Sequence, residues 1–108
     1  MIEHSDANQS VVVYFRFAGG DLAPLYALED PLATALEAAG AGTYDGHEID
    51  LIDGDDAYLF MVGPDAERLF AAARPVLEGS PLLRGAAATL RFGSGEDAAG
   101  NRQVMLNG

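Results

Sequence analysis

The sequence contains no cysteine, no tryptophan and no lysine among its 108 residues. Without cysteine the chain has no thiol nucleophile, no disulfide framework and no thiolate metal site, and either redox compartment suits it. No apolar run approaches the ~20 residues that a membrane helix needs, and the first six residues lack the basic-then-apolar order of a signal peptide. We therefore expect a soluble cytoplasmic protein.

Positive charge is also scarce, because six arginines face 17 aspartates and glutamates and leave a net charge of −11. Such a chain repels phosphate backbones and anionic lipid surfaces, so we expect neither a nucleic-acid partner nor a membrane partner. A basic protein partner remains open. Acidity that only keeps the chain soluble is the simpler interpretation.

The length and the apolar content predict a single domain over residues 1–108. Apolar residues make up 49% of the chain, which excludes a disordered acidic tail. A chain of this size buries enough surface to form a stable core without disulfide bonds. We expect residues 1–9 and 94–101 to be flexible, because both segments are polar.

Alternating and β-branched segments predict strands at 10–17, 43–53, 56–62 and 86–92, with a short fifth strand at 103–106. The dipeptide Asp53-Gly54 predicts a hairpin turn between the second and third strands.

Two apolar stripes at helical spacing lie between these strands. The first stripe comprises Leu25, Leu28, Leu32, Leu36 and Ala39, and the second comprises Leu69, Phe70, Ala73, Val76 and Leu77. Asp21 and Asp65 are predicted to cap the two helices. Pro31 is expected to kink or briefly break the first helix, because it cannot donate a backbone hydrogen bond.

The chain resembles itself after a shift of 44 residues, which gives six identities over residues 14–32. The identical positions include Tyr14 with Tyr58 and Pro31 with Pro75. A strand-helix-strand unit used twice predicts an α+β, ferredoxin-like βαββαβ sandwich. We expect an antiparallel sheet of order 4-1-3-2, the fifth strand beside the fourth, and both helices on one face.

Strand alternation then predicts which side chains occupy the sheet face without helices. This open face comprises Val12, Tyr14, Arg16, Tyr58, Phe60, Val62, Thr89 and Arg91. An apolar and aromatic patch of this kind is typical of a protein contact. The leading hypothesis is therefore a non-enzymatic domain that forms a homodimer through its open face, with another protein partner or a small ligand as alternatives.

Aromatic residues on the first and third strands also resemble, by position, the RNA-recognition motif, in which they stack bases. Here Asp55 and Asp56 stand where that motif has basic residues, so we reject this reading. Arg16 and Arg91 share the open face, but pairing Tyr14 with Thr89 separates them by ~13 Å, too far to clamp one carboxylate.

An acidic run at 45–56 surrounds His47, and it raises the alternative of a small-ligand or metal-dependent enzyme. The candidate residues are His47, Glu48 and Asp50. In a strand, His47 points away from the other two, so a solvated, charged strand edge is the favoured interpretation and we expect no metal or cofactor.

The segment 62–70 (VGPDAERLF), with 74–78 and 44–48, resembles a group of small bacterial ferredoxin-like proteins of unknown function. The resemblance spans residues 12–93 and implies a fold without an activity. Residues 21–30, with the overall acidity, are similar to bacterial protein inhibitors of ribonuclease E. That similarity implies a further alternative, an acidic inhibitor of a basic protein or nuclease.

Overall fold

The computed structural model describes residues 9–17, 22–50, 56–92 and 101–106. These residues form an α+β fold with five strands and two α-helices. The elements in chain order are β1 (Gln9–Arg16), α1 (Ala23–Ala38), β2 (Thr43–Ile49), β3 (Asp56–Gly63), α2 (Ala66–Glu78), β4 (Ala87–Arg91) and β5 (Arg102–Met105). A short 3₁₀ turn at Pro81–Leu83 leads from α2 to β4.

The strands form one antiparallel sheet of order β2-β3-β1-β4-β5. From the opposite edge this order reads β5-β4-β1-β3-β2, which agrees with the predicted neighbours. The apolar stripes of both helices join the same core as one face of the sheet, so the molecule has two layers. In the part of the chain that the structure describes, no helix has the length and apolar character to cross a membrane.

Burial alternates along the central strands as the sequence predicts. Val11, Val13, Leu59 and Met61 are fully buried under the helices, and the residues between them are partly exposed. Leu90 of β4 is also fully buried. The period of two along a strand therefore separates a core face from an open face.

The helix boundaries correct the predictions in two places. Helix α1 runs from Ala23 to Ala38 through Pro31, so a break at Pro31 was wrong as a prediction, while a kink there stays a prediction. Ala39 is an exposed C-cap outside the buried stripe. Helix α2 begins as predicted, since the Asp65 side chain accepts hydrogen bonds from the backbone amides of Glu67 and Arg68. That bonding satisfies two of the amides that a helix leaves without partners at its start.

Some predictions fall on parts of the chain outside the described residues. These are the Asp53-Gly54 turn and the flexibility of residues 1–8 and 94–100. The prediction of Asp21 as the cap of α1 was wrong, because Leu22 occupies the N-cap position and makes no side-chain capping bond. Gln9 belongs to β1, and its side-chain carbonyl accepts a hydrogen bond from the Ala66 amide at 2.7 Å. The first strand therefore begins one residue earlier than predicted and is tied to the start of α2.

The backbone at Ala41 and Gly42, just before β2, lies very close to the end of β3. A Cβ atom added at Gly63 would lie 2.2 Å from the Ala41 carbonyl oxygen. No side chain fits at that distance, so only glycine is accommodated at position 63, where the two backbones come closest.

Candidate functional site

The open face has a patch of aliphatic and aromatic side chains on β1 and β3. The cross-strand pairs there are Val12 with Phe60 and Tyr14 with Tyr58. The rings of Tyr14 and Tyr58 are 5.4 Å apart, and Phe60 stacks along β3 at 6.2 Å from Tyr58. We call Val12, Tyr14, Tyr58, Phe60 and Val62 the central patch; each is partly exposed.

One end of the central patch is closed by a polar network. The Tyr14 hydroxyl donates to Asp56 Oδ1 at 2.7 Å, and Arg16 Nε lies 3.9 Å from the same oxygen. This hydrogen bond to a carboxylate is the main cause that raises the pKa of Tyr14. The ring of Tyr14 is therefore held in place as a neutral phenol.

The register between β1 and β4 differs from the predicted one by two residues. Thr89 pairs with Val12 rather than with Tyr14, and Arg91 pairs with Ser10. Arg91 consequently lies six residues along the sheet from Arg16, or ~20 Å at 3.3 Å per residue. The two arginines stand at opposite ends of the open face and cannot clamp one anion together.

A β-bulge in β2 turns two polar side chains toward helix α1. Tyr44 pairs with Met61 and His47 pairs with Leu59, so three steps along β2 match two steps along β3. Gly46, inside the bulge, has φ +105°, a conformation that favours glycine. The extra residue places Tyr44 and His47 on the same face of the sheet, where a regular strand would separate them.

Both side chains meet the carboxylate of Glu29 on α1. The Tyr44 hydroxyl donates to Glu29 Oε2 at 2.5 Å, and His47 Nδ1 lies 2.6 Å from the same oxygen. Burial is the largest cause that raises the pKa of Tyr44, followed by its hydrogen bond to Glu29. We call Glu29, Tyr44 and His47 the edge cluster; it links the outer strand to the helical layer.

The structure does not bring the candidate metal ligands together. His47 faces the helices, and Glu48 pairs with Tyr58 on the open face. The Asp50 amide donates to the Asp56 carbonyl oxygen at 2.8 Å, after β2 has ended. Among the described residues no group of three or more histidines and carboxylates is placed to hold a metal ion.

The described part of the chain has clefts on both the helical side and the open face. An apolar cleft of about 470 Å³ lies between the helices beside Pro31 and Pro75. A second, of about 670 Å³, lies between α2 and β5, where Arg74 is paired with Glu78 and Arg102 with Glu67. A third, of about 400 Å³, lies at the end of the open face where β1 finishes, beside Tyr14 and Arg16.

With this geometry in place, comparison with known proteins adds no relative: the chain matches no family model, no curated protein and no solved structure.

Proposed function

We propose that this protein binds a second copy of itself through the open sheet face. The observation that carries the proposal is the central patch, which places three aromatic rings and two valines on adjacent strands, with neither of the described helices above them. Contiguous apolar surface of this kind marks contact sites in soluble proteins. The chemistry of the patch supports a non-enzymatic interaction domain.

The size of the face sets the expected strength of the dimer. Five strands at ~4.8 Å spacing and eight residues at ~3.3 Å give a face of ~19 by 26 Å, or ~500 Å² in plan. Two copies in contact bury ~1,000 Å², which is near the lower limit for a specific interface. We therefore expect a weak, concentration-dependent dimer.

Opposite charges at two corners of the face make it self-complementary. Arg91 lies on β4 at the level of Ser10, and Glu48 lies on β2 at the level of Tyr14. The separation is three strand spacings across the sheet and four residues along it, or ~20 Å. Consider a two-fold axis that lies in the plane of the interface and crosses the line from Arg91 to Glu48 at its midpoint and at a right angle. This axis places Arg91 of each copy opposite Glu48 of the other, with the central patch between the two pairs.

This symmetry also predicts how the two sheets cross. The line from Arg91 to Glu48 is inclined at about 45° to the strands, because its two components are nearly equal. The two-fold rotation that brings Arg91 of one copy opposite Glu48 of the other also turns the strands of the two copies nearly perpendicular to each other. The proposed dimer is therefore an orthogonal sheet packing, one of the two arrangements common for packed sheets.

Charge reversal at the two corners tests the proposal. Each single change, Arg91→Glu or Glu48→Arg, replaces two symmetric ion pairs by two repulsions and is expected to weaken the dimer about tenfold or more. The double variant restores both pairs with reversed sign and should recover most of the affinity. Dimer dissociation constants are measured by sedimentation equilibrium at one ionic strength.

Two matched variants control for net charge. Arg68→Glu on α2 and Glu37→Arg on α1 change exposed residues of the helical layer by the same amounts. They should leave the dissociation constant unchanged. Independent, additive losses in the Arg91 and Glu48 variants, with no recovery in the double variant, would refute the proposed pairing.

The order of strands and helices also supports placing the chain in the ferredoxin-like fold. Six elements, β1 to β4 with α1 and α2, follow the βαββαβ order, and β5 extends the sheet beside β4. In this assignment the open face is the side of the sheet opposite the two helices.

A further inference from the structure

The cleft at the β1 end of the open face has a chemistry that the dimer proposal does not use. Strand β1 continues past its last β4 partner, since the final pair is Tyr14 with Ala87 and Arg16 pairs with β3 alone. The chain turns away before β4 at Gly85, which has φ +78°. A notch of about 400 Å³ remains at this end of the sheet.

Two arginines, Arg16 and Arg84, line this notch. The second cleft also contains two arginines, but each of those is paired with a glutamate. Arg84 has no carboxylate partner within the described residues. Arg16 shares its charge with Asp56 at 3.9 Å, so in a chain with a net charge of −11 Arg84 supplies the local positive charge of the notch.

The remaining lining of the notch is mainly apolar. Leu82, Ala86 and Ala87 contribute apolar surface from the turn and from β4, and Met105 of β5 is 57% exposed. The side-chain amide of Gln103 adds a neutral hydrogen-bonding group. An aliphatic or aromatic body fits against this surface, whereas a bare inorganic anion leaves it uncovered.

We propose that this notch, which we call the arginine notch, binds a small organic acid. The carboxylate of the ligand pairs with Arg84 and Arg16, because the planar guanidinium matches a carboxylate with parallel N–H···O bonds. The apolar body of the ligand lies on Met105 and Leu82. Asp56 positions Arg16 from the side of β3, at 3.9 Å.

The proposal is tested by titrating the full chain with hexanoate, acetate and inorganic phosphate at constant ionic strength. Amide ¹H–¹⁵N NMR spectra are expected to show saturable shifts around Gly85, Ala87 and Gln103 with hexanoate. Acetate should bind at least tenfold more weakly, because it lacks the apolar body. Phosphate or acetate binding as tightly as hexanoate would overturn the assignment to an organic acid.

Three variants separate the parts of the arginine notch. Arg84→Gln is expected to weaken hexanoate binding about tenfold or more, and Arg68→Gln, an exposed arginine on α2, should leave it unchanged. Met105→Gln should weaken hexanoate without changing acetate binding. Equal binding by the parent and the Arg84 variant would refute the site.

The arginine notch and the dimer proposal are tested separately. Repeating the hexanoate titration in the Arg91→Glu variant measures the notch in a chain with a weakened dimer, since Arg91 lies at the far end of the face. Because the notch opens on the face that the proposed dimer covers, it is expected to bind hexanoate there at least as tightly as in the parent. Loss of binding in that variant would contradict a site contained within one chain.

Discussion

Deleting Gly46 from the middle of β2 is expected to disturb the fold less than substituting it. The bulge holds two residues of β2, at 45 and 46, against Phe60 of β3. Removal of Gly46 leaves Asp45 opposite Phe60 and restores a regular ladder. Tyr44 and His47 then lie two positions apart and stay on the helix side of the sheet.

The two changes differ in their expected cost. Gly46→Val forces a β-branched residue to φ +105°, which costs ~1–3 kcal/mol of unfolding free energy. No atom lies within 4 Å of a Cβ added there, so the cost is backbone strain rather than a clash. The deletion removes that strained position and keeps the bonds to Glu29, so we expect a change within ~1 kcal/mol.

Urea unfolding with linear extrapolation measures both variants. A second measurement, the Glu29→Gln change in each background, shows whether the edge cluster survives. It should destabilise the parent and the deletion variant alike, by ~1–2 kcal/mol, because the same two bonds are weakened. A deletion that costs more than Gly46→Val, or that abolishes the effect of Glu29→Gln, would refute the bulge argument.

Three further predictions concern stability. Asp65→Ala should cost ~1 kcal/mol in urea unfolding through loss of the α2 cap, with the exposed Asp45→Ala as control; equal losses would contradict the cap. Gly63→Ala should lower the thermal midpoint, at a cost of ~1–3 kcal/mol, because its Cβ meets the Ala41 carbonyl; an unchanged midpoint would contradict the close approach. The raised pKa of Tyr44 stabilises the fold fully below pH 10 and progressively less as the pH rises toward the folded-state pKa. Stability should therefore fall above pH 10 by at most ~1.4 kcal/mol per pH unit, reduced by solvent screening of this half-buried group. Tyr44→Phe should flatten that slope in urea unfolding at pH 8 to 11, and an unaltered slope would assign it to other groups.

The core and open faces of the sheet were predictable because one physical rule fixes them. Val11 and Val13 must alternate with Val12 and Tyr14 along an extended strand, and Arg16 indicates which set meets solvent. The same assignment holds for β3, since Leu59, which lies 44 residues after Phe15, is buried as Phe15 is. The helical stripe around Leu28 and Leu32 was predictable for the same reason, through a period of 3.6.

The edge cluster was not predictable from those periods. Tyr44 and His47 share a face only because a bulge adds one residue, and Gly46 was the signal in the sequence that a strand of strict period two would break. Glu29 lies on a helix outside the acidic run, so no local pattern connects it with β2. The register of Arg91 was missed because it depends on where the turn at Gly85 ends, which alternation does not determine.

Sedimentation velocity of the unmodified chain over ~1 µM to ~1 mM tests self-association through the open face most directly. We predict a rise from the mass of one 11.3 kDa chain toward twice that mass across this range, and no rise for Phe60→Glu, which places a charge in the central patch. A chain that remains monomeric at the highest concentration would contradict the proposed function. If the Phe60→Glu variant dimerised like the parent, the contact would have to lie on another surface.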